Sequence, residues 1–288
     1  MTRIGIFSLL MFVGVVSILT VFLWFSPDAV AERGEGPTAL HLKESPPPNI
    51  SAKSAYVFDI ETGQVIFNLN GDDTLPIASV TKLFSSAVYY TSIDLEKEIT
   101  ITESDVAVEG ESGRLEAGQT YLARELLFPA LLESSNDAAS AQLRLADGDM
   151  ILSMNALARR YEASDTIFID SSGLSSQNQS SASSLAKLLR AIVFEYPYIM
   201  DITKLEKYVL EDVTWLNNNP LSKLEGYQGG KHGYTHEANR TAAVIYMEPV
   251  TGGADRLVGY VVLGSDDLVS DISTLRNYVH NVASNEVL

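Results

Sequence analysis

The chain has no cysteine, which excludes disulfides, thiolate metal sites and a lipid-modified N-terminal Cys, and leaves the redox compartment undecided. Histidine is scarce too: four residues, scattered along the sequence, offer no cluster of the kind a zinc site uses. Positive charge is in deficit, with 20 Lys and Arg against 37 Asp and Glu and a formal net charge of -17. That balance argues against nucleic acid as a partner, because a phosphate backbone is held by clustered basic side chains. Charge of either sign is missing from Ile4 to Phe25 (IGIFSLLMFVGVVSILTVFLWF), a run long enough for a helix to cross a hydrocarbon core about 30 Å thick.

What remains is ample for a folded domain: 288 residues, 46% of them hydrophobic, can bury a full core. Arg3 precedes the apolar run and Asp28, Glu32 and Glu35 follow it, so the positive-inside bias keeps the first residues cytoplasmic and sends the rest outward. Ala29-Val30-Ala31 has the form of a signal-peptide cleavage site, so residues 1–31 read as a transmembrane anchor or a cleaved signal, with the anchor preferred. Residues 32–53, with the run Pro46-Pro47-Pro48, read as a semi-extended linker. The folded domain is then expected over 54–288. It opens with AYVFDI and QVIFNL, two β-rich runs joined at Glu61-Thr62-Gly63. Helical periodicity follows over Ser79–Tyr90, around Ala123–Leu145, over Asp149–Tyr161 and over Ser183–Phe194. TAAVIYMEP and LVGYVVLG are late strands joined at Gly252-Gly253, and Leu268–Ala283 is an amphipathic helix. Strands, then many helices, then strands predict one antiparallel sheet built from both ends of the chain, with a helical subdomain inserted between them: an α/β arrangement of the α+β type.

Ser79 and Lys82 lie three residues apart in PIASVTKLF, so on a helix they are neighbours on one face. A serine hydroxyl needs a base within hydrogen-bond reach to act as a nucleophile. A lysine can be that base if it is held neutral, which burial and a helix N-terminus both favour. The spacing alone is not specific, since Ser184-Leu185-Ala186-Lys187 repeats it. Further along stand Ser134-Ser135-Asn136, a triplet with counterparts at Ser153-Met154-Asn155 and Ser176-Gln177-Asn178, and then Lys231-His232-Gly233-Tyr234 between glycines and late strands.

In this order, with their contexts FDIETGQVIF, SSNDAASAQL, MNALARRYEASDTIFIDSSGL and GGKHGYTHEANRTAAV, the three motifs resemble those of the penicillin-binding serine D-alanyl-D-alanine carboxypeptidases, the low-molecular-mass group that shares its fold with serine β-lactamases. The resemblance runs from about Ser54 to the end. It implies a β-lactamase/transpeptidase-like fold, a peptidoglycan stem peptide as substrate, β-lactams as inhibitors, and no metal or cofactor. It also implies roles: Ser79 as nucleophile, Lys82 as its base, Ser134 as proton relay to the departing amine, and Asn136 holding the substrate amide. Lys231 would supply positive charge, and the backbone N–H groups of Ser79 and Tyr234, across Gly233, would form an oxyanion hole. His232 departs from the family, which has Thr there. An imidazolium could bind the substrate's terminal carboxylate and a neutral ring could donate one hydrogen bond, or the side chain could pack on the sheet instead. The departure favours a D,D-endopeptidase that cleaves cross-links as the alternative to a carboxypeptidase. A β-lactamase is disfavoured, because Ile169-Asp170-Ser171-Ser172-Gly173 has no glutamate where the resemblance would place the deacylating one. A non-catalytic muropeptide-binding module is the alternative outside enzymes. His236 is expected at the rim.

Overall fold

The structure is a computed structural model, described over residues 38–110 and 113–285. The short strand β1 (His41–Leu42) is followed by the opening hairpin, β2 (Ser54–Asp59) and β3 (Val65–Leu69). After β4 (Leu75–Pro76), a 3-10 turn (Ala78–Val80) runs into helix α1 (Thr81–Ser92). The helical region holds β5 (Glu98–Thr100), β6 (Thr120–Leu122), α2 (Leu127–Leu132), α3 (Asn136–Leu145), α4 (Met150–Arg160), β7 (Gln179–Ser180), α5 (Ala182–Glu195) and α6 (Pro197–Lys204). A second small hairpin, β8 (Lys207–Leu210) and β9 (Val213–Leu216), leads to the late strands β10 (Tyr227–Thr235), β11 (Asn239–Glu248) and β12 (Arg256–Ser265). Helix α7 (Leu268–Val282) and β13 (Ala283–Ser284) follow.

The main sheet has five antiparallel strands in the order β10-β11-β12-β2-β3, so it is built from both ends of the chain as expected. Its inner strands are apolar on both faces, and the period-2 alternation sorts them into two cores. Phe58, Ala243, Ile245, Val261 and Leu263 face the helical region. Val57, Val244, Tyr246, Tyr260 and Val262 face α7, packed with Ile272, Leu275 and Val279. Helix α1 is buried on nearly all sides, which marks it as the central helix of the helical region rather than a surface one.

Two expectations need correction. The helix expected across Ala123–Leu145 is a 3-10 turn (Ala123–Leu126) followed by two helices. Ser134 breaks it with a left-handed backbone, φ 64, and Ser135 caps the next helix by accepting from Ala138 N at 3.0 Å. The segment that carries Lys231 is itself the edge strand β10. The linker expected over 32–53 is laid on the fold from Leu40 onward. Leu40 is 4% exposed in the α7-side core, exchanges hydrogen bonds with the Gln64 side chain at 2.6 and 2.8 Å, and β1 pairs with β13. A buried leucine and a paired strand outweigh the proline run. The apolar segment Ile4–Phe25 and Ala29-Val30-Ala31 lie outside the described residues; among the described residues no helix is long and apolar enough to cross a membrane.

Candidate active site

Residue 79 stands where a strained entry meets the central helix. Ala78, just before it, has φ 47, a conformation that costs a residue with a Cβ about 1–2 kcal/mol and persists only where surrounding contacts enforce it. Two of those contacts are visible. Thr81 donates its hydroxyl to Ala78 O at 2.8 Å, and Thr241 on β11 donates to Ile77 O at 2.9 Å.

One turn into the helix, Lys82 is fully buried and its Nζ contacts three oxygens: Ser79 Oγ at 3.0 Å, Asn136 Oδ1 at 2.7 Å and Ser172 O at 2.8 Å. The carbonyl of Ser172 and the amide oxygen of Asn136 can only accept, so they occupy two N–H groups. The contact with Ser79 can run either way: an ammonium donates to Oγ, and an amine offers its lone pair to the hydroxyl proton. Asn136 is fixed in that orientation because its Nδ2 donates to Glu109 O at 2.7 Å. Ser172 is fixed by Asp170, whose carboxylate accepts from Ser172 N, Gly173 N and Ser175 N at 2.8, 2.5 and 2.8 Å.

Strand β10 closes the other side. A Cβ on Gly233 would lie 2.5 Å from Ser79 N, so only glycine lets this edge strand pass so close to the backbone of Ser79. Lys231, two residues earlier, shares that face of the strand; it is buried, with Nζ donating to His232 O at 2.9 Å. His232 therefore occupies the opposite face, in a cavity lined by Pro220, Tyr234, Arg240 and Leu268. Burial, and then the charges of Lys231 and Lys82, push its pKa down to about 3. The ring is neutral at ordinary pH, which removes the imidazolium expected as one option. The cation of that cavity is Arg240, set over the Tyr234 ring at 5.6 Å; composition and spacing gave no signal for it.

The rival motifs separate from this cluster. Ser184 donates to Asp165 at 3.3 Å while Lys187 reaches Glu162 O at 2.8 Å, so that pair does not meet. Asn155 bonds the Phe168 backbone, and Asn178 is a buried strut between Asp170 and Thr81. Both are structural. Ser172 O and Glu109 O, which set the geometry around Lys82, are backbone carbonyls that carry no side-chain signature.

Asp137, next to Asn136, is 1% exposed, its Oδ1 has no partner among the described residues, and burial with the nearby Asp105 pushes its pKa up to about 6. With the folded value above the unfolded one, its stabilising contribution is present below about pH 4 and is lost as pH rises toward 6. Asp137→Asn is therefore expected to stabilise the protein above pH 6, by on the order of 2 kcal/mol. His232 has the opposite sign, with stability falling as pH drops below about 6.5, and cancels in the difference between variant and wild type. Equal urea midpoints at pH 7 would refute the assignment for Asp137.

A two-sided antiparallel sheet with a buried Ser-x-x-Lys helix start, an Asn reaching the lysine, and an edge strand against the serine defines an active-site serine peptidase of the penicillin-binding type. A family model described as D-alanyl-D-alanine carboxypeptidase matches residues 41–266, and the chain belongs to that peptidase S11 family. It is similar to the D-alanyl-D-alanine endopeptidase of Escherichia coli K12, at 28% identity over 96% of this chain and 88% of that one. The D-alanyl-D-alanine endopeptidase of Haemophilus influenzae is 34% identical over 76% of this chain and 69% of its own length. Among solved structures, a D-alanyl-D-alanine carboxypeptidase from Mycobacterium tuberculosis superposes with a TM-score of 0.77 at 25% identity, over 87% of this chain and all of that one.

Proposed function

We propose that this serine D,D-peptidase hydrolyses the bond after a D-alanine in peptidoglycan stem peptides through an acyl-enzyme on Ser79. The observation that carries the reading is the position of Lys82 Nζ, within 3.0 Å of Ser79 Oγ and 2.7 Å of Asn136 Oδ1, where the neutral amine is placed to accept the hydroxyl proton. Ser79 Oγ attacks the D-alanyl carbonyl carbon as Lys82 takes the hydroxyl proton. The developing oxyanion lies against the N–H groups of Ser79 and Tyr234. The C–N bond then breaks, and the proton passes through the Ser134 hydroxyl to the leaving amine. Water, deprotonated by Lys82, attacks the ester carbonyl; the C–O bond to Ser79 breaks as Lys82 returns that proton to Ser79 Oγ, which frees the serine and leaves the amine neutral again. Asn136 and the free edge of β10 hold the substrate backbone, in the manner of an added strand, and Lys231 supplies positive charge beside the cleft.

His232 favours the endopeptidase alternative as a second reading. The neutral ring leaves the third motif without the hydroxyl that would take a terminal carboxylate. Asp170 supports a peptidase over a β-lactamase, since its carboxylate is committed to the backbone of its own turn. The apolar run Ile4–Phe25 supports a single-pass anchor with the peptidase outside the membrane. The full chain, produced in bacterial membranes and treated with benzylpenicillin, should gain one penicilloyl mass on wild type and none on Ser79→Ala, in the membrane pellet. An adduct that survives Ser79→Ala would sink the assignment of the nucleophile, and an adduct in the soluble fraction would sink the anchor. Turnover of a cross-linked dimer against a stem pentapeptide separates the two peptidase readings.

A further inference from the structure

Ser134 sits in the short turn between α2 and α3 with a left-handed backbone, a conformation disfavoured for any residue with a Cβ. Something has to hold the turn. Pro129 O accepts from Glu133 N at 3.2 Å and from Ser135 N at 3.0 Å, which fixes the end of α2 but not the position of the turn against the rest of the cleft. That position is set from outside. Glu133, with a side chain 13% exposed, accepts on Oε1 from Arg114 Nη2 at 2.5 Å and from Leu216 N at 2.9 Å. Its carbonyl accepts from Asn218 Nδ2 at 2.8 Å, and Leu132 O accepts from Asn218 N at 3.0 Å. Arg114 Nη2 also donates to Thr214 O, and the buried Trp215 indole donates to Gly113 O at 2.7 Å.

Three segments that are distant in sequence thus meet at one carboxylate: the stretch around Gly113 and Arg114, the Ser134 turn, and strand β9. On the far side of Ser134, Asn136 is held by Glu109 O, which belongs to the same stretch as Arg114. The residues before and after the Ser134-Ser135 step are therefore tied to Arg114 and to Glu109, which are near each other in sequence, through a side-chain ion pair on one side and a backbone carbonyl on the other.

We propose that Glu133 and Arg114 are a positioning pair for the reaction: their contact holds the Ser134 turn in register with the Ser79–Lys82 helix, so that the Ser134 hydroxyl can relay the proton to the departing amine. Neither side chain touches the reacting atoms. The inference rests on Ser134 being that relay. Displacing a catalytic group by about 1 Å costs on the order of a hundredfold in rate, so loss of the tie should appear in rate and not in binding. Two members of one contact should also fail to add when both are removed.

The test uses the full chain with a stem peptide and with benzylpenicillin, comparing Arg114→Ala, Glu133→Gln, the double variant and Ser134→Ala. Arg114 is half exposed, so Arg114→Ala keeps the fold and serves if Glu133→Gln does not. The expected result is a kcat and an acylation rate lowered roughly ten- to a hundredfold in each single variant, KM and melting temperature nearly unchanged, and a double variant no slower than the slower single one. Wild-type rates in Arg114→Ala beside a disabled Ser134→Ala overturn the pair while leaving the relay standing. Additive losses, or losses that only track a falling melting temperature, overturn it as well. Full activity in Ser134→Ala removes the relay and the pair together.

Discussion

Lys82→Met is expected to slow acylation by benzylpenicillin by on the order of 10²–10⁴-fold, the range that a positioned general base contributes, while the protein stays folded. Methionine is nearly isosteric with the lysine stem and fills irregular buried space, so α1 keeps its packing. What disappears is the one group in contact with Ser79 Oγ, Asn136 Oδ1 and Ser172 O together. The two acceptors left behind lose a buried donor, at about 1–3 kcal/mol each, partly offset because a fully buried amine no longer has to be desolvated. A loss of rate with a modest loss of stability is the signature of a base; rates within tenfold of wild type would show that another group takes the Ser79 proton. Rapid-quench mass spectrometry of the penicilloyl adduct measures it directly.

Gly173→Ala is expected to do damage of a different kind, removing stability and acylation together. Gly173 has φ 84, and a Cβ there would lie 1.9 Å from Ala78 O and 2.9 Å from Thr81 Oγ1. The first obstacle is backbone, so no rotamer change relieves it. The turn cannot back away either, because Asp170 clamps its N–H groups and Ser172 O is bound to Lys82. The remaining response is to push Ala78, which already carries φ 47, and with it Ser79. Left-handed strain and the clash together should exceed about 3 kcal/mol, in the range of severe single substitutions. A urea unfolding free energy within about 0.5 kcal/mol of wild type, typical of an innocuous surface change, would show that the contact is softer than its geometry.

Much of this site could be read in the sequence because its chemistry lies in side chains with fixed spacing. Ser79 and Lys82 are one helical turn apart, and the strands around Val244 and Val261 announce themselves by unbroken apolar runs. The sheet from both chain ends followed from the order of those runs. What escaped detection is held by backbone or by long-range pairing. Ser172 O and Glu109 O could come from any residue type. The break at Glu133-Ser134-Ser135 is a left-handed turn without the glycine that usually marks one. Helix α6 begins at Pro197, a permitted first position that also resembles a stop signal. Leu40 was hidden in a proline-rich stretch because burial of a single leucine, and its pairing with Gln64, depend on a hairpin more than twenty residues away. His232 showed its identity but not its face, which is fixed by the register of β10 against β11.

The sheet built from both ends of the chain also governs when activity can arise. The buried ion pair between Asp59 on β2 and Arg256 on β12 joins residues 197 positions apart, and β12 is the neighbour that β2 needs. Contacts of such separation fold slowly, because loop closure is completed before they reward it. Strand β10 can take its place beside Ser79 only after β11 and β12 are in the sheet. A ribosome-bound chain therefore carries Ser79 and Lys82 long before β10 can stand beside them, and the site stays incomplete until the three late strands have been made.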